Sequence, residues 1–139
     1  MQILGQTIYM NADNLKKLKH ELRTPVNHIL GYSSLLLESA EDSDDLATAD
    51  LARNIHDKGQ ALARLLEKNL LSTTGDIDDG QMEVLRGSVR PVVKQILDIL
   101  LSRSTFPAAD LHQPDLNRIR RAANQLLALL GAESIAVSE

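Results

Sequence analysis

The chain has 139 residues, of which 15 are Lys or Arg and 19 are Asp or Glu, so its formal charge is −4. This balance argues against nucleic-acid binding, which requires clustered positive charge to displace counterions. The chain has no cysteine, which excludes disulfides and thiolate metal sites. Because there are only two Tyr, one Phe and no Trp, small aliphatic residues and leucine must fill the core, as is typical of helical bundles.

Apolar residues that recur at three-, four- and seven-residue steps predict four helices. The first helix is expected over about residues 11–38, with a stripe of Leu15, Leu18, Leu22, Ile29 and Leu36. The acidic stretch 38–45 is interpreted as a solvated turn whose last residues cap a second helix. The stripe of the second helix consists of Leu51, Ile55, Leu62, Leu66 and Leu70.

The clearest loop is TTGDIDDG at 73–80, which has glycines near both ends, and its acids at 76–79 are interpreted as part of that solvated loop. A third helix is expected from about Gln81 to Ser104, with a stripe of Leu85, Val89, Val92, Ile96 and Ile99. The fourth begins near Pro114, because proline suits a first helical turn, and ends at Gly131. Its stripe consists of Leu116, Ile119, Leu126 and Leu130.

Short connections between these helices predict an all-α fold, an antiparallel four-helix bundle that forms one domain over residues 1–139. The two halves of the chain also resemble each other. An offset of 67 residues places Leu18 on Leu85 and Arg23 on Arg90, and an offset of 64 aligns the second helix with the fourth. Because one helical hairpin cannot bury its apolar stripe alone, we expect hairpins at 11–73 and 81–133 to complete one bundle as a pseudo-dimer.

His20 falls off the apolar stripe of the first helix, on the side that faces solvent, and Thr24 lies beside it one turn later. The adjacent Glu21 carboxylate can hold one ring nitrogen protonated and leave the other with a free lone pair. Such an imidazole is a nucleophile suited to accepting a phosphoryl group. Pro25 removes a backbone donor and clashes with the carbonyl of Glu21, so a bend is predicted just after the histidine.

The pattern His-Glu-x-x-Thr-Pro, followed by a glycine eleven residues after the histidine and a leucine run, resembles the phosphoacceptor box of sensor histidine kinases. It stands here at His20, Glu21, Thr24, Pro25 and Gly31. The resemblance implies that His20 is the phosphorylated residue and that Glu21 is its acid–base partner. It also implies that Thr24 orients the water that dephosphorylates a receiver domain.

The open strip of the first helix around His20 is predicted to contact a partner through Arg23, Asn27, His28 and Gly31. By resemblance, the partners are the receiver domain of a response regulator and a separate ATP-binding kinase domain. Residues 74–139 carry no motif of such an ATP-binding domain, so the chain is not expected to bind ATP or another cofactor itself.

The second half departs from the phosphoacceptor pattern. The position equivalent to His20 is Gly87, and Ser88 follows it in place of a glutamate. The second hairpin is therefore predicted to be a degenerate copy that serves as a scaffold.

The remaining histidines carry weaker signals. His56 and His112 have no supporting neighbours in the sequence and are predicted to be surface residues. His20 and His28 are too far apart on one helix to chelate a metal together, so no metal site is expected. The opening MQILGQTIYM lacks a basic flank and is too short to span a bilayer, which predicts a cytoplasmic protein without membrane insertion.

Two functions remain open from the sequence. The intact box favours a phosphoacceptor and phosphotransfer module of two-component signalling that acts through His20. The missing ATP-binding motifs and the degenerate second half favour a non-catalytic interaction module of a larger sensor, with His20 as a relic. In either case a monomeric pseudo-dimer is favoured over a homodimer, because a partner hairpin in the same chain has a high effective concentration.

Overall fold

The computed structural model describes residues 12–71, 79–103 and 111–131. Within these ranges the chain forms α1 (Ala12–Asp42), α2 (Leu46–Leu66), α3 (Asp79–Arg103) and α4 (Gln113–Leu130), and it has no strand. Helix α1 packs against α2 and α4, and α3 packs against the same two helices. The predicted all-α four-helix bundle is confirmed. Among the described helices, none offers the uninterrupted apolar length that a bilayer crossing requires.

The turn between α1 and α2 is shorter than predicted. Helix α1 continues to Asp42 instead of ending near residue 38, so only residues 43–45 connect the two helices. Asp44 adopts a left-handed conformation with φ 58°, which aspartate tolerates better than most residues. Asp45 then caps α2, because its Oδ1 accepts a hydrogen bond from the backbone N–H of Thr48 at 3.1 Å. The acidic stretch therefore supplies the cap as predicted, although its first five residues, 38–42, belong to α1.

The second hairpin begins two residues earlier than predicted, at Asp79 rather than Gln81. The predicted loop 73–80 falls mostly in residues 72–78, which lie outside the described residues. Helix α4 has Pro114 in its first turn and ends at Gly131, whose φ of 75° is the left-handed conformation of a helix C-cap. The guanidinium Nε of Arg86 on α3 donates to the carbonyl of Leu130 at 2.6 Å, so a side chain of α3 satisfies the end of α4.

Leucine, isoleucine, valine and alanine fill a single core between the four helices. The predicted stripes of α1 and α4 are buried throughout. In α3, however, Val92 and Ile99 are half-buried, and the fully buried positions are taken by Val93 and Leu100. Leu51 in α2 is likewise half-buried.

The buried positions of α3 follow those of α1 with the offset of 67 residues. The pairs are Leu15 and Met82, Leu18 and Leu85, Leu22 and Val89, Val26 and Val93, Ile29 and Ile96, and Ser33 and Leu100. Because this register decides which side of each helix faces the core, the solvent face of α1 around His20 corresponds to the solvent face of α3 around Gly87.

Helices α1 and α2 approach each other closely at Gly59. A Cβ atom at this position would lie 3.0 Å from Cδ2 of Leu30 and 3.2 Å from Cγ2 of Ile29. These distances are shorter than ordinary van der Waals contacts, so a side chain at residue 59 would press on α1. The glycine therefore sets the spacing of the first hairpin, a role that sequence reasoning did not identify.

His112 contradicts its prediction as a surface residue. Its side chain is only 3% exposed, and its Nε2 lies 3.3 Å from Oδ2 of Asp45. Its Nδ1 is also buried and has no hydrogen-bond partner among the described residues. The prediction failed because Asp45 belongs to the other hairpin, and only the packing of the two hairpins brings it to His112. His56 is half-buried rather than fully exposed.

Candidate functional site

His20 lies on the solvent face of α1, two turns from the start of the helix. The neighbouring Leu18 and Leu22 are buried and hold the opposite face of α1 against the core, which leaves the imidazole exposed. Thr24, one turn further along, is exposed on the same face. The structure therefore presents His20 and Thr24 together to an approaching molecule.

Glu21 is half-buried, and its carboxylate is not hydrogen-bonded to the imidazole of His20. Neither His20 nor Glu21 makes a hydrogen bond or ion pair with any residue that the structure describes. The reason is geometric, because consecutive residues on a helix point about 100° apart. A role of Glu21 as acid–base partner thus requires side-chain rotation or a bridging water when a phosphoryl donor is present.

Pro25 lies inside α1, is buried, and does not interrupt the helix. Because proline has no N–H, the carbonyl of Glu21 lacks the donor that the fourth residue along normally supplies. This leaves a backbone acceptor without its helical hydrogen bond one residue after His20. The bend predicted at this point stays a prediction.

The predicted partner-binding residues all lie on the exposed strip of α1: Arg23, Asn27, His28 and Gly31. Two grooves between α1 and α2 border this strip. The first has a volume of about 180 Å³ and is lined by Arg23, Val26, Asn27, Ala63, Leu66 and Glu67. The second has a volume of about 420 Å³ and is lined by Gly31, Ser34, Leu35, Leu37, Glu38, Glu41 and His56. Both combine an apolar floor with charged or polar rims.

On the side of α4, the exposed strip of α1 is bordered by a cluster of His28, Tyr32 and Arg118. The rings of His28 and Tyr32 lie 5.8 Å apart, tilted by 54°, and the guanidinium carbon of Arg118 lies 5.4 Å from the centre of the Tyr32 ring. Arg118 also pairs with Asp115 at 3.0 Å. Sequence reasoning missed this cluster, because Arg118 belongs to the second hairpin and has no local signal that places it beside Tyr32.

The position equivalent to His20 in the second hairpin is Gly87, which has room for a side chain but carries no phosphoacceptor residue. Gly87 is exposed, and a Cβ atom at this position would have no neighbour within 4 Å. A Cβ atom is therefore accommodated there, and packing does not require a glycine at this position. Across the described part of the chain, no group of three or more His, Cys, Asp or Glu is arranged to hold a metal ion.

The hairpin that carries His20 and Thr24 matches a known family of protein domains. Residues 10–76 match the His Kinase A (phospho-acceptor) domain family. These residues belong to that family. No solved structure shows a significant match to the chain. The family assignment covers α1, α2 and the π-helical turn Glu67–Leu71 that extends α2, which together make the first hairpin.

Several sensor kinases resemble the chain. The autoinducer 2 sensor kinase/phosphatase LuxQ of Vibrio vulnificus is 43% identical over 49 residues, which are 35% of this chain and 6% of that protein. The sensor protein KdpD of Clostridium acetobutylicum is 29% identical over 96 residues, 69% of this chain and 10% of that protein. Histidine kinase 3 of Arabidopsis thaliana is 27% identical over 99 residues, 70% of this chain and 9% of that protein. The chain thus spans a tenth or less of the relatives that it matches.

The phosphoacceptor hairpin identifies the chain as carrying a two-component signalling module. Phosphoacceptor domains of this kind work with ATP-binding kinase domains and with receiver domains. The box that predicted the family from sequence lies on α1, where His20 and Thr24 are exposed.

Proposed function

We propose that the chain is a phosphotransfer module of cytoplasmic two-component signalling in which His20 accepts a phosphoryl group and passes it on. The observation that carries this proposal is the exposure of His20, with Thr24 beside it, inside a hairpin of the phosphoacceptor family. The donor is a separate kinase domain or the acyl phosphate of a receiver domain. The acceptor is a receiver aspartate.

The reaction needs only one nucleophile. The lone pair of the unprotonated ring nitrogen of His20 attacks the phosphorus, a P–N bond forms, and the P–O bond of the donor breaks. The leaving oxygen takes the bonding electron pair. The proton on the other ring nitrogen is held there by Glu21, directly or through water, or passes to it. Transfer to a receiver aspartate reverses these steps.

The partner docks along the exposed strip of α1. Because the attacking nitrogen projects from this strip, any domain that brings a phosphoryl group to His20 must cover Arg23, Asn27, His28 or Gly31. The two grooves on the α2 side offer apolar floors into which side chains of the partner insert. A receiver domain placed in this way also brings its aspartate within reach of Thr24, which orients water for dephosphorylation.

Phosphorylation of three histidine variants tests this proposal. The purified chain is incubated with phosphorylated receiver domains and with a kinase ATP-binding domain, and acid-labile label on the chain is followed. His20→Ala should abolish the label. His28→Ala is the matched control, because His28 is an exposed histidine on the same helix, and it should keep the label, as should His56→Ala.

Two outcomes count against the proposal. Label that persists on the His20→Ala protein would assign the chemistry to another residue. A wild-type chain that takes no label from any donor would favour the alternative of a non-catalytic interaction module. Circular dichroism of each variant should first establish that the helices are intact.

A further inference from the structure

Three exposed, positively charged side chains lie three or four residues from His20 on α1. Lys16 and Lys17 lie four and three residues before it, and Arg23 lies three residues after it. All three side chains are exposed, and none forms an ion pair or hydrogen bond with any residue that the structure describes. Three arginines elsewhere in the bundle are instead paired with carboxylates: Arg53 with Asp50, Arg86 with Glu83 and Arg118 with Asp115.

Helical geometry brings these charges to the histidine. Residues three and four apart on a helix are neighbours, with Cβ atoms about 5–6 Å apart. Helical side chains lean toward the N-terminus, so the ring of His20 covers the turn of Lys16 and Lys17, and Arg23 leans back toward His20. The long side chains of Lys and Arg can therefore reach a group bound to the imidazole without any change in the backbone.

The second hairpin provides an internal comparison. With the offset of 67 residues, Glu83 and Val84 replace Lys16 and Lys17, as Gly87 replaces His20. Val84 is 58% exposed, and Glu83 is paired with Arg86 at 2.8 Å. Because α1 and α3 bury equivalent positions, the fold itself does not require lysines at residues 16 and 17. Arg90 stands in the place of Arg23, so only the positive charge at residues 16 and 17 is confined to the side of the histidine.

We propose that Lys16 and Lys17, together with Arg23, bind the oxygens of the phosphoryl group as it is transferred to and from His20. This inference rests on the proposed function. In phosphoryl transfer, negative charge is spread over the three non-bridging oxygens, and nearby cations stabilise that charge. The same cations attract an anionic donor before the reaction begins. These side chains form no covalent bond with the donor, so the bonds that form and break during the transfer are the same with or without them.

A small donor separates this effect from the docking of a partner. Phosphoramidate carries a phosphoryl group and no protein surface, and the rate constant for labelling of His20 is measured with it. A protein with both Lys16→Ala and Lys17→Ala should react roughly five- to tenfold more slowly than wild type at low ionic strength. The difference should shrink as salt is added, because salt screens exposed charges.

Two further variants keep the test specific. Lys58→Ala with Lys94→Ala removes the same net charge from other helices and should leave the rate within about twofold of wild type. Lys16→Arg with Lys17→Arg keeps the charge and should keep the rate. With a phosphorylated receiver domain as the donor, the rate constants of the variants should follow the same order. This would extend the result from the small donor to an acyl phosphate.

The outcomes separate this inference from the proposed function. Equal rates for the double alanine variant and the control variant would overturn the role of the lysines and leave the role of His20 intact. A slower rate that does not respond to salt would also overturn it, because it would indicate a structural defect. If no phosphohistidine forms at residue 20 in the wild-type chain with any donor, the proposed function itself fails.

Discussion

The Nε2 atom of His112 lies 3.3 Å from Oδ2 of Asp45, and this contact joins the N-cap residues of α2 and α4 at one end of the bundle. Asp45 also accepts two hydrogen bonds from Thr48, one from its backbone N–H at 3.1 Å and one from its hydroxyl at 2.6 Å. One carboxylate thus caps a helix of the first hairpin and binds a buried histidine of the second. The contact lies beyond the C-terminal end of α1, whereas His20 lies near the N-terminal end of that helix. The contact therefore concerns the assembly of the bundle rather than the chemistry of His20.

Loss of this contact should destabilise the bundle. His112→Ala should lower the free energy of unfolding by about 1–3 kcal/mol, because it removes a buried side chain and leaves the carboxylate of Asp45 with one partner fewer. Urea unfolding followed by circular dichroism measures the change. His56→Ala is the control, since His56 is half-buried and has no such partner among the described residues, and it should cost less than about 1 kcal/mol. Similar losses for the two variants would contradict the importance of the Asp45 contact.

Thr24 should separate two activities. If its hydroxyl orients water against the phosphoaspartate of a receiver, Thr24→Ala should lose stimulated dephosphorylation and keep phosphotransfer through His20, because the hydroxyl takes no part in the attack on phosphorus. The decay of a labelled receiver and the label on the chain are measured with the same preparation. Ser102→Ala, which removes an exposed hydroxyl from α3, is the control and should change neither activity. Equal loss of both activities in Thr24→Ala would indicate a packing defect.

Substitution of Gly59 and of Gly87 should change the free energy of unfolding in opposite directions. Gly59→Val should lower the free energy of unfolding by about 1–3 kcal/mol, because a side chain at residue 59 presses on Ile29 and Leu30. Gly87→Ala should instead raise it by about 0.5–1 kcal/mol, because alanine favours the helix and a Cβ atom there has no neighbour within 4 Å. Thermal or urea unfolding of each variant measures both changes in the free energy of unfolding. If Gly59→Val is as stable as wild type, the close approach of α1 and α2 is not a constraint.

The chain should be a monomer in solution. Helix α1 packs against α4 as well as α2, so the apolar stripe of the first hairpin is covered from within the same chain. Sedimentation should therefore show a species of about 15.3 kDa, and phosphorylation should reach one group per chain. A species of twice this mass that persists on dilution to low micromolar concentration would show that first hairpins pair between chains.

Much of this protein is determined by local sequence. The spacing of apolar residues specifies four helices, because each helix must bury one face, and Asp45, Pro114 and Gly131 mark helix ends through local backbone chemistry. The phosphoacceptor box is equally local, since His20 and Thr24 lie one turn apart on one helix. Their exposure follows directly from the burial of Leu18 and Leu22. These features need no knowledge of how the hairpins pack.

Contacts between hairpins were decided only by the tertiary structure. Nothing in the sequence near His112 predicts its burial, because its partner Asp45 belongs to the other hairpin. The cluster of Tyr32 and Arg118 likewise forms only because α1 and α4 are neighbours. In α3, periodicity alone did not distinguish Val92 from Val93, which lie about 100° apart at opposite edges of one stripe. Packing of α3 against α2 and α4 buries Val93 and leaves Val92 half-buried. Helical periodicity defines a face of about 100° or wider, and only the neighbouring helices define its centre.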